Sequence, residues 1–345
     1  MENKSLKIGL KVNKLKDILQ QLIQHKTLTK TEAKEVLIAI SEGKFSTSEI
    51  AAFITVYMMR NISLEELEGF RDALLELCIP MRFDGIDTID LCGTGGDGKN
   101  TFNISTLASM VTAGAGVPVT KHGNYGVSSV SGSSNVLEAL GVTLSNDRTI
   151  LERCLEEANI CVLHAPLFHP AMKTVGPIRR ELGVKTFFNM LGPLVNPAFP
   201  KYQMIGVFNL ELARLYEYLH QNGDKEYSIV HALDGYDEIS LTGPAKVLTN
   251  ERELYVEAET FGVESITPQE IFGGGTVDAS AALFLKILEG EGTTAQQNVV
   301  CANAAVAIAT ATKCSLNEGF GKAQESLVSG KALQSLQQLQ KITNL

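Results

Sequence analysis

Through the first eighty or so residues, apolar positions recur at helical spacing with no strand-like alternation. Phe53, Val56 and Tyr57 fall on one helical face, as do Leu67, Phe70, Leu74 and Leu77. Three capping boxes open such patterns: Thr29 with Glu32, Ser46 with Glu49, and Ser63 with Glu66. In each, a hydroxyl and a carboxylate satisfy N–H groups that a helix start leaves open. Pro80 stops the last helix. The pattern predicts four short helices, each with an apolar stripe, in a small bundle that needs a partner surface for its outer faces.

After Pro80 the period changes. Short apolar runs predict strands at 88–92, 117–120, 160–163, 204–207 and 227–230. Helices are predicted at 105–113, 135–140 and 148–158, and from about Thr276 to the end. The Ala-rich stretch from Ala302 to Thr312 suits a closely packed interior helix. Strands alternating with helices imply βαβ units. The expected class is α/β: a small N-terminal helical domain over 1–82, then a large α/β domain over 83–345 with a mostly parallel central sheet. Residues 168–197, rich in Pro, Gly and Arg, interrupt the alternation. They read as two short inserted helices that return to complete the helical domain.

Composition narrows the function. With 44% hydrophobic and 20% charged residues, the chain has the makings of a large core. A net charge of −9 disfavours a general nucleic-acid binder. It leaves room for an anionic substrate, because backbone N–H groups can build a phosphate site in an acidic protein. The six cysteines form no C-x-x-C pair and mostly sit in apolar runs, as reduced core thiols do. The opening Met-Glu-Asn-Lys-Ser-Leu-Lys has no apolar signal core, and no apolar run approaches the roughly 18 residues that span a bilayer. The expected location is the cytoplasm, with no membrane partner.

Four segments carry candidate chemistry. Asp90-Leu-Cys-Gly-Thr-Gly-Gly-Asp97 closes a predicted strand, where open α/β sheets bind ligands. Its glycines let backbone approach an anion. The next helix starts near Asn103-Ile-Ser-Thr106, offering free N–H groups and the hydroxyls of Ser105 and Thr106, one of which can ligate magnesium. The same run also fits a plain strand-to-helix turn. It is neither G-x-G-x-x-G nor G-x-x-x-x-G-K-[ST], so dinucleotide and P-loop readings fall away.

Lys121-His-Gly-Asn124 and the serine-rich Ser128–Ser134 run follow the next strand, as an anion nest or as a flexible loop. Asp234-Gly-Tyr-Asp-Glu238 offers hard oxygen ligands for magnesium, or a solvated turn. In Gly176-Pro-Ile-Arg-Arg-Glu-Leu-Gly183, Arg179 or Arg180 can clamp a carboxylate, or pair with Glu181 at the surface. His164 and His169 are further pocket candidates, without metal-ligand spacing.

Taken together, these segments and Phe188-Asn-Met-Leu-Gly-Pro-Leu-Val-Asn-Pro197 resemble the anthranilate phosphoribosyltransferase family, in the family's order and across most of the chain. The resemblance implies transfer of the phosphoribosyl group of 5-phosphoribosyl 1-pyrophosphate (PRPP) to the amine of anthranilate, the second step of tryptophan biosynthesis from chorismate. It implies a homodimer, and anthranilate between the domains near Gly93, Asn124 and Arg179. PRPP contacts would come from Gly93, Gly96, Asp97, Thr101, Asn103, Ser105, Thr106, Lys121, Asn124, Ser128, Ser129 and Ser133. Magnesium, two ions per site, would sit on Ser105, Asp237 and Glu238. No side chain is expected to act as acid, base or nucleophile. Two positions depart from the family pattern: Tyr125 where arginine is usual, and Val130 where lysine is common.

Two other readings stand beside this one. A pyrimidine nucleoside phosphorylase, similar in fold, would carry Lys-Met-Ser-Gly where this chain has Lys121-His-Gly-Asn124. A catalytically silent, nucleic-acid-binding relative would show a basic face.

Overall fold

A computed structural model describes residues 15–126, 130–221 and 223–344. Helices α1 (Leu15–Ile23), α2 (Lys30–Ser41), α3 (Thr47–Met59) and α4 (Leu64–Leu77) come first. There follow β1 (Ile89–Gly93), α5 (Ile104–Gly114), β2 (Val119–Gly123), α6 (Ser133–Ala139), α7 (Arg148–Ala158), β3 (Ile160–His164), α8 (Ala165–Phe168) and α9 (Met172–Leu182). The chain continues through β4 (Tyr202–Gly206), α10 (Leu210–Gln221), β5 (Glu226–Ala232), β6 (Ala245–Thr249) and β7 (Glu253–Val256). It ends in α11 (Val277–Leu288), α12 (Thr294–Thr312), α13 (Leu316–Val328) and α14 (Lys331–Thr343). Two units result: the chain up to Leu77 with Ala171–Phe187, and Cys78–Pro170 with Phe188 onward.

In the helical unit all three capping boxes form. Thr29 Oγ1 accepts from the Glu32 N–H (3.3 Å) while Glu32 Oε2 accepts from the Thr29 N–H (2.9 Å), and Ser46 with Glu49 repeats this. Gly69 lets α4 approach α2, since a Cβ there would stand 2.3 Å from the Lys30 carbonyl oxygen. Phe187, from the returning segment, packs its ring 4.7 Å from Phe70 and 6.1 Å from Phe53.

The third box is built into the core. Glu66 is fully buried. It accepts from the Ser63 N–H (2.9 Å), the Leu28 N–H (2.9 Å), the Tyr57 hydroxyl (3.0 Å) and both terminal nitrogens of Arg60. Burial works to raise its pKa, but the Arg60 guanidinium and the N–H donors outweigh it and hold the carboxyl below its ordinary value. Its stabilisation is therefore complete above the ordinary carboxylate pKa and is lost as pH falls through the depressed one.

Removing Glu66 strands a buried guanidinium and several donors. Glu66→Ala should cost the helical unit about 3–5 kcal/mol. Hydrogen exchange should accelerate over 28–77 and stay unchanged at 89–93.

In the second unit, the strands among the described residues form one sheet in the order β3-β2-β1-β4-β5-β6-β7. The first five are mutually parallel, matching the predicted strands within three residues at either end, and β6 and β7 add antiparallel. That last pair was not expected. Its turn lacks glycine and is held by side chains: Asn250 accepts from the Tyr227 N–H (2.8 Å), and Thr249 Oγ1 accepts from the Arg252 N–H (3.1 Å).

Strand alternation divides the sheet into two faces. Ile89, Leu91, Met204 and Val230 enter the large apolar core with residues of α5, α12, α13 and α14. The other face carries polar groups. Gln203 donates to the Pro193 carbonyl, His122 Nδ1 bonds the Gly192 carbonyl (3.1 Å), and Asn196 donates to the Thr120 carbonyl (2.8 Å). Residues 188–196 thus lie on the sheet, and the second inserted helix is replaced by 3-10 turns at Phe187–Met190 and Gly192–Leu194. Carbonyls spared from regular helix bonding satisfy the buried polar side chains of this face. Interior helix α12 is buried nearly all round from Val299 to Ile308, as its alanines predicted. Among the described residues no single helix is long and apolar enough to cross a membrane.

Candidate active site

From β1 the chain runs outward to β2 and β3, then returns to β4 and β5 on the other side of β1. The carboxyl ends of β1 and β4 are therefore the topological switch point, where open α/β sheets bind ligands. The three motif turns leave the carboxyl ends of β1, β2 and β5.

At the switch point both strands end in glycine, and Gly93 pairs in register with Gly206. The turn after β5 rests on this pair. A Cβ on Gly93 would lie 2.5 Å from Asp237 Oδ2, and one on Gly206 would lie 1.7 Å from the Asp237 carbonyl oxygen. The Gly95 N–H, presented at a φ of +63°, donates to Asp237 Oδ2 (2.8 Å). Gly96 is also left-handed, at +79°. The Thr94 hydroxyl is buried without a hydrogen-bond partner among the described residues. The Lys99 N–H donates to Asp97 Oδ1 (3.0 Å).

Glu238 takes the start of α5. Its Oε1 accepts from the Ser105 N–H (3.0 Å), and its Oε2 lies 3.5 Å from the Thr101 hydroxyl. An N–H that the sequence reading offered to phosphate is thus occupied by a carboxylate, which the helix dipole favours equally. Thr106 is buried within α5.

Both acids are thus held by backbone N–H groups. Burial and the Asp97 carboxylate push the Asp237 pKa up to about 7, against the Gly95 N–H. Burial, Asp237 and Asp97 drive Glu238 well above its ordinary value. Lys121 lies beneath, buried, with Nζ donating to the Leu91 carbonyl (2.7 Å). Burial lowers its pKa, while Cys92, Asp90 and Glu238 pull it back up. Its charge acts through space rather than from an open surface.

The loop after β2 is tied to the first. Asn103 Nδ2 donates to the Ser131 carbonyl (2.9 Å), joining the loop before α5 to the loop before α6. Asn135 Oδ1 accepts from the N–H groups of Gly126 (2.9 Å) and Gly132 (3.1 Å). The Asn124 carbonyl accepts from the Ser134 N–H (3.2 Å) and the Ser133 hydroxyl (3.4 Å). Ser128 and Ser129 lie outside the described residues. Tyr125, exposed, donates to Glu138 Oε1 (3.1 Å) with its ring 4.7 Å from that of His164, and Val130 is exposed.

Arg179 belongs to the helical unit, on α9, where burial lowers its pKa; Arg180 on the same helix is exposed. His164 is buried against the Ser134 hydroxyl (2.8 Å). His169 is buried with its ring 5.3 Å from His122, whose pKa burial lowers to about 3. Two residues were missed. Asn135 clamps the second loop, and Asn303 of α12 bonds both backbone groups of Ile239, the residue after Glu238. An amide inside an alanine and valine helix was the available signal for Asn303.

The glycine seat yields a test. Gly206→Ala should displace the acidic turn, lowering stability by about 1–3 kcal/mol. Gly321→Ala, in an open position on α13, should stabilise by about 0.5–1 kcal/mol. Thermal unfolding of both variants checks the contrast.

Comparison with known proteins agrees with this architecture. Residues 85–333 match the a/b domain of the glycosyl transferase family, and residues 16–78 match that family's helical bundle domain. Anthranilate phosphoribosyltransferase of Flavobacterium johnsoniae is 62% identical over 329 residues, covering 95% of this chain and 100% of that protein. The crystal structure of anthranilate phosphoribosyltransferase from Thermus thermophilus superposes with a TM-score of 0.86 at 35% identity, covering 95% of this chain and 100% of that one. The Saccharomyces cerevisiae enzyme in complex with PRPP and Mg gives a TM-score of 0.88 at 26% identity, covering 96% and 98%. With a helical bundle, a switch-point site and relatives this similar over full length, the chain belongs to the anthranilate phosphoribosyltransferase family.

Proposed function

We infer that this chain transfers the phosphoribosyl group of PRPP to the amine of anthranilate, releasing pyrophosphate and forming N-(5-phosphoribosyl)anthranilate in tryptophan biosynthesis. The observation that carries the reading is the pair of acids at the switch point, flanked by two interlinked loops rich in N–H and hydroxyl groups. The relatives' activity and the yeast enzyme's PRPP and Mg complex support it.

Ser105, Asp237 and Glu238 fit a magnesium site. Two carboxylates with raised pKa values mark a local shortage of positive charge that a cation would relieve. Among the described residues no three His, Cys, Asp or Glu side chains form a complete metal set. Substrate oxygens and water would supply the remaining ligands, as magnesium commonly requires. When bound, magnesium neutralises charge on the departing pyrophosphate. Two ions per site is our reading.

We assign the Thr94 hydroxyl to PRPP oxygens, together with Asn103, Asn124 and Ser133 on the linked loops. Such donors stabilise charge that grows as the C1–oxygen bond breaks. The anthranilate amine is neutral near pH 7, so no strong base is needed, and positioning supplies much of the acceleration. Arg179 is assigned the anthranilate carboxylate.

A homodimer is proposed on the exposed apolar residues Ile23, Met58 and Met59 of α1 and α3. Six free cysteines, buried or half-buried, favour the reducing cytoplasm.

With Asp237→Asn and Glu238→Gln together, magnesium-dependent loss of anthranilate fluorescence should fall by about 100-fold or more. Near-normal turnover would remove the metal assignment. Arg179→Ala should raise KM for anthranilate about tenfold while leaving kcat close to wild type. Unchanged anthranilate kinetics would take Arg179 out of the site.

A further inference from the structure

Asp237 and Glu238 are restrained from the ligand side by the Gly95 and Ser105 N–H groups. From within the fold the turn is held by its seat on Gly93 and Gly206, by the Tyr236 carbonyl accepting from the Ala232 N–H (3.0 Å), and by one buried amide. Asn303 is 1% exposed, in the middle of α12 between Ala302 and Ala304. Its Oδ1 accepts from the Ile239 N–H (3.0 Å). Its Nδ2 donates to the Ile239 carbonyl (2.8 Å) and to the Val299 carbonyl one turn back (2.9 Å). Both donor hydrogens and one acceptor site are used, and reversing the amide would set donor against donor at Ile239. Asparagine is a poorer helix former than the alanines around it and costs more to bury, so a packing role does not account for it.

We propose that Asn303 is a positioning residue for the acidic turn, fixing the backbone that aims Asp237 and Glu238 at the metal. The two bonds to Ile239 act as a clamp on one residue, next to Glu238 and two from Asp237. Asn303 shares a small cavity with the acids it would steady: Asp237, Glu238, Ser105 and Gly93 also line it. This assignment rests on reading Asp237 and Glu238 as magnesium ligands in phosphoribosyl transfer.

The test compares Asn303→Leu and Asn303→Ala with Thr310→Val. Thr310 lies seven residues on along the same helix face and bonds Ser228 (2.7 Å), so its loss matches the structural damage away from the turn. Binding of Mn2+ with inorganic pyrophosphate is followed by electron paramagnetic resonance, and the Mg2+ activation constant by anthranilate consumption. Both Asn303 variants should weaken Mn2+–pyrophosphate binding and raise the activation constant by roughly tenfold or more, with KM for anthranilate unchanged. Thr310→Val should lower thermal stability and leave both metal readouts at wild type. If the Asn303 variants lose stability as Thr310→Val does but bind Mn2+ as wild type, the proposal fails. If Asn303→Leu does not fold, Asn303→Ala decides. A wild-type chain that consumes no anthranilate would overturn the functional reading instead, and the Mn2+ comparison would still decide the role of Asn303.

Discussion

The turn after β5 sits on the ends of β1 and β4 because neither strand end places a Cβ in its way. Gly93 and Gly206 are register partners, so the gap they leave is continuous across the switch point. Into it fits the backbone of Asp237, which brings two carboxylates against the Gly95 N–H and the first turn of α5. A side chain at either glycine would force the turn outward and separate the acids from both donors. The ligand end of the α/β unit is arranged around this steric allowance.

Electrostatics gives the arrangement its character. A carboxylate leaving water loses hydration that amide donors restore only in part. Asp237 and Glu238 stand in that condition, their pKa values raised by burial and by the Asp97 carboxylate beside them, with Lys121 turned to a strand carbonyl below. A fold selected for stability alone would pair these acids with arginine or replace them. Retaining them under strain is what a site does when its missing charge arrives with the substrate.

Much of this was readable from residue order. The capping boxes at Thr29, Ser46 and Ser63 formed as their spacing required, because a box involves four consecutive residues and little else. The five parallel strands were visible as buried apolar runs. The β6–β7 pair was not, since its turn uses Thr249 and Asn250 side chains in place of a glycine signal. Nor was the path of residues 188–196, which is governed by polar groups of the sheet face, Thr120, His122 and Gln203, far away in sequence. At the site, residue types were legible and their partners were not. That Ser105 would give its N–H to Glu238, that Lys121 would be buried, and that Asn303 would grip Ile239 are facts of contact across 30 to 133 residues of chain.

The bond from Asn103 to the Ser131 carbonyl ties the residues just before α5 to those just before α6, segments that follow different strands. Their alignment is settled during folding, so a ligand spanning both need not spend binding free energy to bring them into register. The same coupling has a reverse side: loosening either loop slackens the other. A substitution beside Ser131 would therefore be felt at the start of α5, although it touches nothing there.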